Sequence, residues 1–428
     1  MVEGSAPTPK DGVSLAKDAL LVAVVHAALC GLARVTGFDH VSDDDFARVT
    51  IAQLFVVAPK LDPSGTSWLP FPFWLLGSAM ALLGRSLDAA RALSIVFASI
   101  GAALPYVGLR WAGVARGPAL LGTALAYATP WAIWLGAATV PESLTASLGA
   151  AAVVGLTLRR EPRGAGAFAC AIAAACLSRY ETWPLAAVVA LVLALRRTRT
   201  TFACAVVCVA APLVWMAWNA HAHDGPLHFF RRVSAYKRAI GEGSTNTWRA
   251  LLLYPRLLVT ARPEVTVPAL LLLPAVLRDR ERRARWAGLL LAVVAQIAFL
   301  SYGNARDGAP AHHPARALLG AFVMLALFVG VEGAAQLRDR RRILATACIV
   351  VLWLATAARD LPTMPGRAEG EERSAQIARG RELRGADRLV VTPCAYEHFA
   401  LIAAYGAPER VETQTIPKSP ICPGVEAR

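Results

Sequence analysis

The sequence predicts an all-α polytopic membrane protein, and two observations carry this prediction. Of the 428 residues, 56% are hydrophobic and only 17% are charged, whereas charged residues make up about a quarter of an ordinary soluble domain. Several apolar stretches are almost free of charge and together suffice to cross a hydrocarbon layer roughly 30 Å thick many times. The alternating strands of a membrane barrel are absent, so helices are expected. The apolar stretches include 19–33, 117–138, 187–195 and 343–358.

The basic residues predict how the chain is threaded through the membrane. The net charge is +14, but the arginines lie in short clusters between apolar runs, which argues against nucleic acid as a partner. Such clusters are typical of cytoplasmic loops. Lys10 and Lys17 place the amino terminus on the same side. The clusters are Arg110 with Arg116, Arg159 to Arg163, Arg196 to Arg199, Arg278 to Arg285 and Arg338 to Arg342.

Each crossing moves the chain to the opposite side of the membrane. The number of crossings before the arginine clusters therefore decides how the apolar region 68–83 is interpreted. If it crossed the membrane, every later arginine cluster would fall outside the cytoplasm. Residues 37–91 are therefore predicted to form the first outer loop, with proline-broken interfacial helices over 59–91. About 11 spans follow from the apolar lengths. They are predicted at 17–36, 92–110, 117–136, 143–158, 164–178, 182–196, 200–219, 264–278, 286–302, 316–335 and 343–358.

The chain divides into a predicted membrane module, residues 1–358, and a small extracytoplasmic carboxyl-terminal domain, residues 359–428. A helical pattern over 371–383 precedes a strand-like run at 388–392, which indicates an α/β tail. Cys394 and Cys422 lie in this polar tail and suit a disulfide in an oxidising compartment, but the sequence leaves their pairing open. The predicted location is the plasma (inner) membrane.

The stretch HVSDDDFARV, residues 40–49, places three adjacent carboxylates on the predicted outer side. Ser42 or Asp43 is suited to cap a helix whose first turn favours acids. Adjacent carboxylates repel one another beside a low-dielectric wall, so at least one is expected to bind a proton more tightly than usual. Such a group can act as a general base toward a substrate hydroxyl. Asp44 and Asp45 are therefore candidate catalytic residues.

Further charged residues fall on the same predicted side. Glu142 follows Pro141 at the start of a span, where an acid needs no function, but an ionisable group at the membrane edge is also a catalytic candidate. Arginine binds phosphate through paired N–H groups, although basic residues at a membrane surface also meet lipid headgroups. The candidate substrate-binding residues are Arg48, Arg179, Glu181, Arg231, Arg232, Lys237, His313 and Arg316.

A metal site has little support in the sequence. His221 and His223 are spaced like two ligands, but no closed set of ligands accompanies them. No cofactor is therefore predicted, and a divalent metal stays open as an alternative. A P-loop, a Gly-x-Ser-x-Gly elbow and a Cys-x-x-Cys pair are all absent from the sequence.

The segment DDFARVTIA, residues 44–52, resembles a motif of the GT-C superfamily of membrane glycosyltransferases that use polyprenyl-phosphate sugars. It resembles especially bacterial relatives of protein O-mannosyltransferases and of the lipid A aminoarabinose transferase. The likeness covers most of residues 15–335, in order. Two departures are Pro141-Glu142, where the family has Pro-Asp, and His313 to Arg316, where it has Arg-Tyr. The other matching segments are 68–70, 90–94, Pro130, 139–144, 178–181, 218–219 and 224–227.

The resemblance implies a GT-C-like bundle that transfers a sugar from a polyprenyl-phosphate carrier, within membrane lipid, to an acceptor hydroxyl on the outer side. It makes Asp44 the counterpart of the family's catalytic aspartate and Asp45 its acidic neighbour, with inversion at the sugar carbon. Glu142 would orient the acceptor or stabilise positive charge on the sugar ring. A hexose or pentose, with mannosyltransferase-like chemistry, is expected, whereas the acceptor stays open.

Two other classes of function remain as alternatives. A transporter or flippase of a lipid-linked substrate predicts inverted repeats and ionisable residues near the span centres, but these centres are apolar apart from His26 and Gln296. A non-catalytic membrane assembly subunit predicts that Asp43 to Asp45 only cap a helix and bind cationic partners.

Overall fold

The computed structural model describes residues 9–159, 161–239, 246–308, 313–336, 339–391 and 398–413. Cys394 and Cys422 lie outside these ranges. The described chain is almost entirely helical, with one pair of short strands. The helices are α1 Pro9–Val35, α2 Asp44–Val57, α3 Phe71–Leu83, α4 Leu87–Trp111, α5 Arg116–Tyr127, α6 Pro130–Ala137, α7 Glu142–Thr157, α8 Ala165–Cys176, α9 Trp183–Leu195, α10 Arg199–Ala222, α11 His228–Ala239, α12 Thr247–Ala261, α13 Pro263–Arg278, α14 Arg280–Ala305, α15 Leu319–Gln336, α16 Asp339–Asp360, α17 Gly370–Glu382 and α18 Phe399–Tyr405.

The long apolar helices make this a multi-pass membrane protein. Among the described residues, six helices are long and apolar enough to cross a membrane, or up to eight if each of two bent pairs is one span. The pair α5 and α6 is bent by 75°, and the pair α12 and α13 by 99°. Helices α7 and α8 are shorter, with 16 and 12 residues, and at 1.5 Å per residue they cover only about 18–24 Å. The count of about 11 spans therefore stays a prediction.

Helix α7 forms the centre of the bundle. Its side chains are buried on every face, which is expected of a helix that is apolar all round. Small residues let its neighbours approach closely: a Cβ on Gly108 of α4 would lie 3.2 Å from the Ala151 carbonyl of α7. Because α7 is held on all sides, the position of Glu142 at its first residue is fixed by the whole bundle.

Helices α2 and α3, in the first predicted outer loop, pack against the carboxyl-terminal segment. Strand β1 Leu389–Val391 pairs in parallel with β2 Val411–Thr413, and α17 and α18 lie between these strands and the loop. The Gln53 amide of α2 donates to the carbonyls of Arg85 and Ala403, both at 2.8 Å. The shared core consists of Phe46, Val49, Ala52, Leu76, Met80, Leu87, Ala90, Leu93, Ile377, Ala400, Ala403 and Ala404.

Ion pairs reinforce this packing. Arg373 of α17 donates to both oxygens of Asp43, at 2.8 and 2.9 Å. Arg85 donates to both oxygens of Glu409, at 3.1 and 2.8 Å. The carboxyl-terminal segment therefore lies at the same end of the helix bundle as the loop 37–91.

Candidate functional site

The three adjacent carboxylates at the start of α2 have different environments. Asp43 occupies the cap position, but its side chain makes no capping hydrogen bond. Its carboxylate binds Arg373 instead, because α17 lies close enough to offer a bidentate guanidinium. The prediction that Ser42 or Asp43 caps the helix through its side chain is wrong for Asp43.

Asp45 is buried, and its hydrogen bonds join the start of α2 to the segment that leads to α7. Its Oδ2 accepts hydrogen bonds from the backbone N–H groups of Val41 and Ser42, at 3.0 and 3.2 Å. Its Oδ1 accepts one from the N–H of Thr139 at 2.9 Å, and the Thr139 hydroxyl donates to the Asp45 carbonyl at 2.8 Å. Burial raises the pKa of Asp45, while these N–H donors oppose the rise. With both oxygens occupied, Asp45 is suited to holding the loop.

Asp44 makes none of the hydrogen bonds described for Asp45, and its side chain remains accessible. Its side chain is about one-third exposed, and its Oδ2 accepts a hydrogen bond from Arg316 at 3.0 Å. Burial acts to raise the pKa of Asp44, but the charges of Arg316 and Arg48 outweigh it, and the pKa lies below its ordinary value. The expectation that at least one of the three acids binds a proton more tightly than usual is met by Asp45 and not by Asp44. The group is an ionised carboxylate that can accept a proton.

Glu142 lies in the same cluster. Its Oε1 accepts a hydrogen bond from Arg179 at 2.6 Å and lies 3.5 Å from the Nε of Arg316. Arg179 also pairs with Glu181. Because Arg316 contacts both Asp44 and Glu142, the two acids share one site rather than lying a span apart. Within the described part of the chain, Glu142 Oε2 has no hydrogen-bond partner.

Arg48 is a buried cation, and two of its guanidinium nitrogens lack hydrogen-bond partners among the described residues. Its side chain lies one turn after Asp44 on α2, and its guanidinium stacks on the Trp68 ring, 4.4 Å from the centroid. The two nitrogens concerned are Nε and Nη1. Burial lowers the pKa of Arg48 to about 10, so it is still protonated at neutral pH. The structure thus presents an unsatisfied buried cation beside Asp44.

Two clefts adjoin this cluster. The first is largely apolar and has Arg48 in its wall, together with Phe73 and Leu76 of α3 and Phe97 of α4. The second cleft lies between α7, the start of α9, α14 and the start of α15. Glu142, Arg179 and Arg316 line the second cleft. Charged residues of the cluster therefore line both clefts.

The remaining predicted site residues make other contacts. Arg231 and Arg232 are exposed on α11, and Arg231 pairs with Asp224. Lys237 is buried and donates to Asn304 Oδ1 at 3.0 Å. His313 packs on the Trp131 ring, with 5.4 Å between centroids.

The predicted histidine pair gains no further ligand in the structure. His223 stacks on His228, with 4.2 Å between ring centroids, and its Nε2 lies 3.7 Å from Asp62. Over the described ranges, no group of three or more His, Cys, Asp or Glu side chains is placed to hold a metal ion.

Two polar side chains near the cluster were not predicted as site residues. Gln296 of α14 lines the second cleft; its signal in the sequence is a lone amide within an apolar run. Tyr254 of α12 is fully buried, and its hydroxyl has no partner among the residues described. Helix α12 packs against the turn 314–318 that carries Arg316, which brings this helix beside the cluster. No feature of the sequence around Tyr254 singles it out.

Comparison with solved structures identifies the fold. The chain is similar to ArnT from Cupriavidus metallidurans bound to undecaprenyl phosphate, with a TM-score of 0.55 and 14% identity over 95% of this chain and 90% of that chain. It is also similar to the apo state of that protein, with a TM-score of 0.54 and 14% identity over 94% and 88% of the two chains. The fold is GT-C-like. No family model and no curated protein matches the sequence.

The GT-C-like fold agrees with the architecture that the sequence resemblance implies. An identity of 14% shows the shared fold and not the activity of a particular member. The functional argument for this chain therefore rests on its own charged cluster, together with the motif at residues 44–52 that lies in it.

Proposed function

We propose that the chain is a membrane glycosyltransferase that moves a sugar from a polyprenyl-phosphate carrier to an acceptor hydroxyl. The observation that carries this proposal is the arrangement around Asp44. An accessible carboxylate contacts Arg316 and lies near Arg48, and both arginines keep buried N–H groups without a described partner. A base beside unsatisfied cations suits a reaction whose leaving group is a phosphate.

The donor would bind with its phosphate on Arg48 and Arg316. Buried polar groups without partners are rare, so these N–H groups favour an anionic ligand. The apolar cleft beside Arg48, with Phe73, Leu76 and Phe97 in its wall, suits the first isoprenoid units. The similarity to a protein whose structure contains undecaprenyl phosphate supports this class of donor.

The transfer breaks the bond between the sugar carbon and the phosphate oxygen and forms a bond from that carbon to the acceptor oxygen. Asp44 accepts the proton of the acceptor hydroxyl, and the electron pair of the broken bond leaves with polyprenyl phosphate. Attack from the face opposite the phosphate inverts the configuration of the sugar carbon. Arg48 and Arg316 stabilise the charge on the departing phosphate, and Glu142 stabilises positive charge on the ring.

Binding of the phosphate would also prepare Asp44. In the structure, Arg316 Nη2 donates to Asp44, which favours the carboxylate and weakens it as a base. A phosphate competes for the same guanidinium and adds negative charge nearby. Both effects raise the basicity of Asp44 when the donor is present, so the base becomes competent where the leaving group is in place.

The finer topology belongs to the same proposal. About 11 spans, a cytoplasmic amino terminus and an extracytoplasmic loop 37–91 would place Asp44 at the outer face of the plasma (inner) membrane. Residues 1–358 would form the transferase module and residues 359–428 a small domain over the site. A hexosyl or pentosyl substrate of the mannosyltransferase type is proposed on the resemblance of residues 44–52 alone.

The experiment that tests this function is deletion of the gene, followed by mass spectrometry of envelope glycans and of the polyprenyl-phosphate sugar pool. We expect one glycosylated product to disappear and its lipid-linked donor to accumulate. If the donor accumulates only in the inner leaflet, the chain is a flippase rather than a transferase. If purified partner enzymes transfer the sugar fully without this chain, it is an assembly subunit.

A further inference from the structure

Helix α12 runs across the bundle at the end where the candidate site lies. It is bent by 99° from α13, and α13 packs against α14, α15 and α16, each of which contributes a candidate membrane span. Helix α13 therefore belongs to the membrane bundle, and α12, at nearly a right angle to it, extends along the membrane surface. The 15 residues of α12 cover about 22 Å at 1.5 Å per residue.

One side of α12 is held by the protein. Ala250 and Tyr254, one turn apart, are buried, and the Asn304 side chain of α14 donates to the Ala250 carbonyl at 3.0 Å. The helix also packs against the turn 314–318, which carries Arg316. These contacts fix the rotation of α12 about its own axis, so they also decide which of its side chains face outward.

The outward side of α12 has an apolar edge. Trp248, Leu252 and Val259 are 75%, 60% and 42% exposed. Their spacing of four and seven residues places them within about 40° of one another around the helix axis. A row of large exposed apolar side chains is costly in water, so this edge favours hydrocarbon. Tryptophan, which begins the row, is typical of the membrane–water interface.

A basic edge runs beside the apolar one. Arg249 and Arg256 are exposed, and both lie roughly 60–80° around the axis from the middle of the apolar edge. The helix contains no acidic residue, and neither guanidinium has an ion pair or hydrogen bond within the described part of the chain. Both charges can therefore meet lipid headgroups while the apolar edge enters the acyl chains, which is the arrangement of a helix bound in the interface.

We infer that α12 is bound in the membrane interface and selects anionic phospholipid headgroups through Arg249 and Arg256. Charge complementarity decides the choice of lipid, because each arginine near the surface favours an anionic headgroup over a zwitterionic one by roughly fivefold. The inference does not depend on the proposed function, since a transporter or an assembly subunit with this fold would place α12 in the same way. It makes anionic lipid a partner of the helix that packs beside Arg316.

The test measures quenching of Trp248 fluorescence by brominated lipids in nanodiscs that contain equal amounts of phosphatidylcholine and phosphatidylglycerol. Subtracting the fluorescence of Trp248→Phe isolates this residue from the other tryptophans. Bromine is placed near the headgroup end of the acyl chains, on the anionic lipid in one sample and on the zwitterionic lipid in the other. We expect roughly two- to fivefold stronger quenching in the wild-type protein when the anionic lipid carries the bromine. The combined substitution Arg249→Gln with Arg256→Gln should equalise the two samples.

Arg280→Gln with Arg283→Gln is the matched control, because it removes the same charge from exposed positions beyond the far end of α13. It should keep the wild-type preference, and loss of the preference there would overturn the role of the α12 arginines. Leu252→Trp in the Trp248→Phe background places the probe one turn further along the same edge and decides the question if Trp248 fluoresces weakly. Equal quenching of both probes in the two samples overturns the selection of anionic lipid. Absence of quenching overturns the interfacial placement and shows that the edge faces water or another protein.

Discussion

At the scale of single residues, the three adjacent acids Asp43, Asp44 and Asp45 have three different roles. Asp43 holds the carboxyl-terminal segment through Arg373, Asp44 faces the cations, and Asp45 is enclosed by backbone N–H groups. The sequence shows three acids in a row but does not show which partners each will meet. Thr139, Arg316 and Arg373 come from positions 94, 272 and 330 residues away, and they decide which carboxylate is accessible.

The contact between Arg316 and Asp44 predicts a change in pH dependence. Arg316→Gln removes the cation that lowers the pKa of Asp44, leaving burial as the dominant influence, so that pKa rises. The base is then protonated at higher pH, and the acid limb of the kcat/KM profile shifts to higher pH. The measurement is sugar transfer as a function of pH by the purified enzyme.

Arg316→Lys is the control for this prediction, because it retains the positive charge. Its acid limb should stay near that of the wild type even if its rate falls. We expect the rate of Arg316→Gln to fall roughly 10²-fold, the effect of losing one donor to a developing charge. An acid limb that does not move in Arg316→Gln would show that Arg316 does not control Asp44.

At the scale of helices and strands, α2 is held between the bundle and the carboxyl-terminal segment. Its apolar face packs on α3, α4, α17 and α18, and its first residues are tied to Thr139 and Arg373. The position of Asp44 therefore depends on elements at both ends of the chain. The helix periodicity of residues 44–57 is visible in the sequence, whereas its docking against residues 370–405 has no sequence signal, because no local pattern encodes a contact over 300 residues.

Loss of the Asp43 to Arg373 ion pair is expected to loosen this docking. Arg373→Met keeps much of the apolar stem but removes both hydrogen bonds to Asp43. Because the Asp43 side chain is 38% exposed, the loss of unfolding free energy should be about 1 kcal/mol. Hydrogen exchange of α2 and α17 should become faster. Arg379→Met, which breaks an exposed pair with Glu382, should leave exchange in α2 unchanged, and equal protection of α2 in both variants would contradict this account.

At the scale of the whole molecule, composition and arginine clusters suffice to predict a polytopic helical protein, and the comparisons confirm a GT-C-like membrane fold. The number of spans is harder to predict from the sequence, because α7, α8 and α9 are short and α5 and α6 form a bent pair. Length and hydropathy do not distinguish a short buried helix from a broken span. The second cleft has no sequence signal for a similar reason, because Glu142 and Gln296 are brought together only by packing.

The loop 37–91 and the carboxyl-terminal segment pack together at the same end of the helix bundle. They are therefore predicted to lie on the same side of the membrane. Alkaline phosphatase, which is active only outside the cytoplasm, should be active when fused after Gly65 or Arg367. It should be inactive when fused after Glu161 or Asp279, which lie beside predicted cytoplasmic arginine clusters. Opposite results after Gly65 and Arg367 would contradict the packing, and inverted results at all four positions would reverse the proposed orientation.

The most direct test of the central claim is the activity of Asp44→Asn in cells that lack the native gene. The amide cannot take the acceptor proton, so transfer measured by mass spectrometry of the product should fall roughly 10²- to 10⁴-fold at normal expression. Asp88→Asn, which alters an exposed acid paired with Arg381, should restore the product fully. Full transfer by Asp44→Asn, at the same protein level as Asp88→Asn, would contradict the assignment of Asp44 as the base.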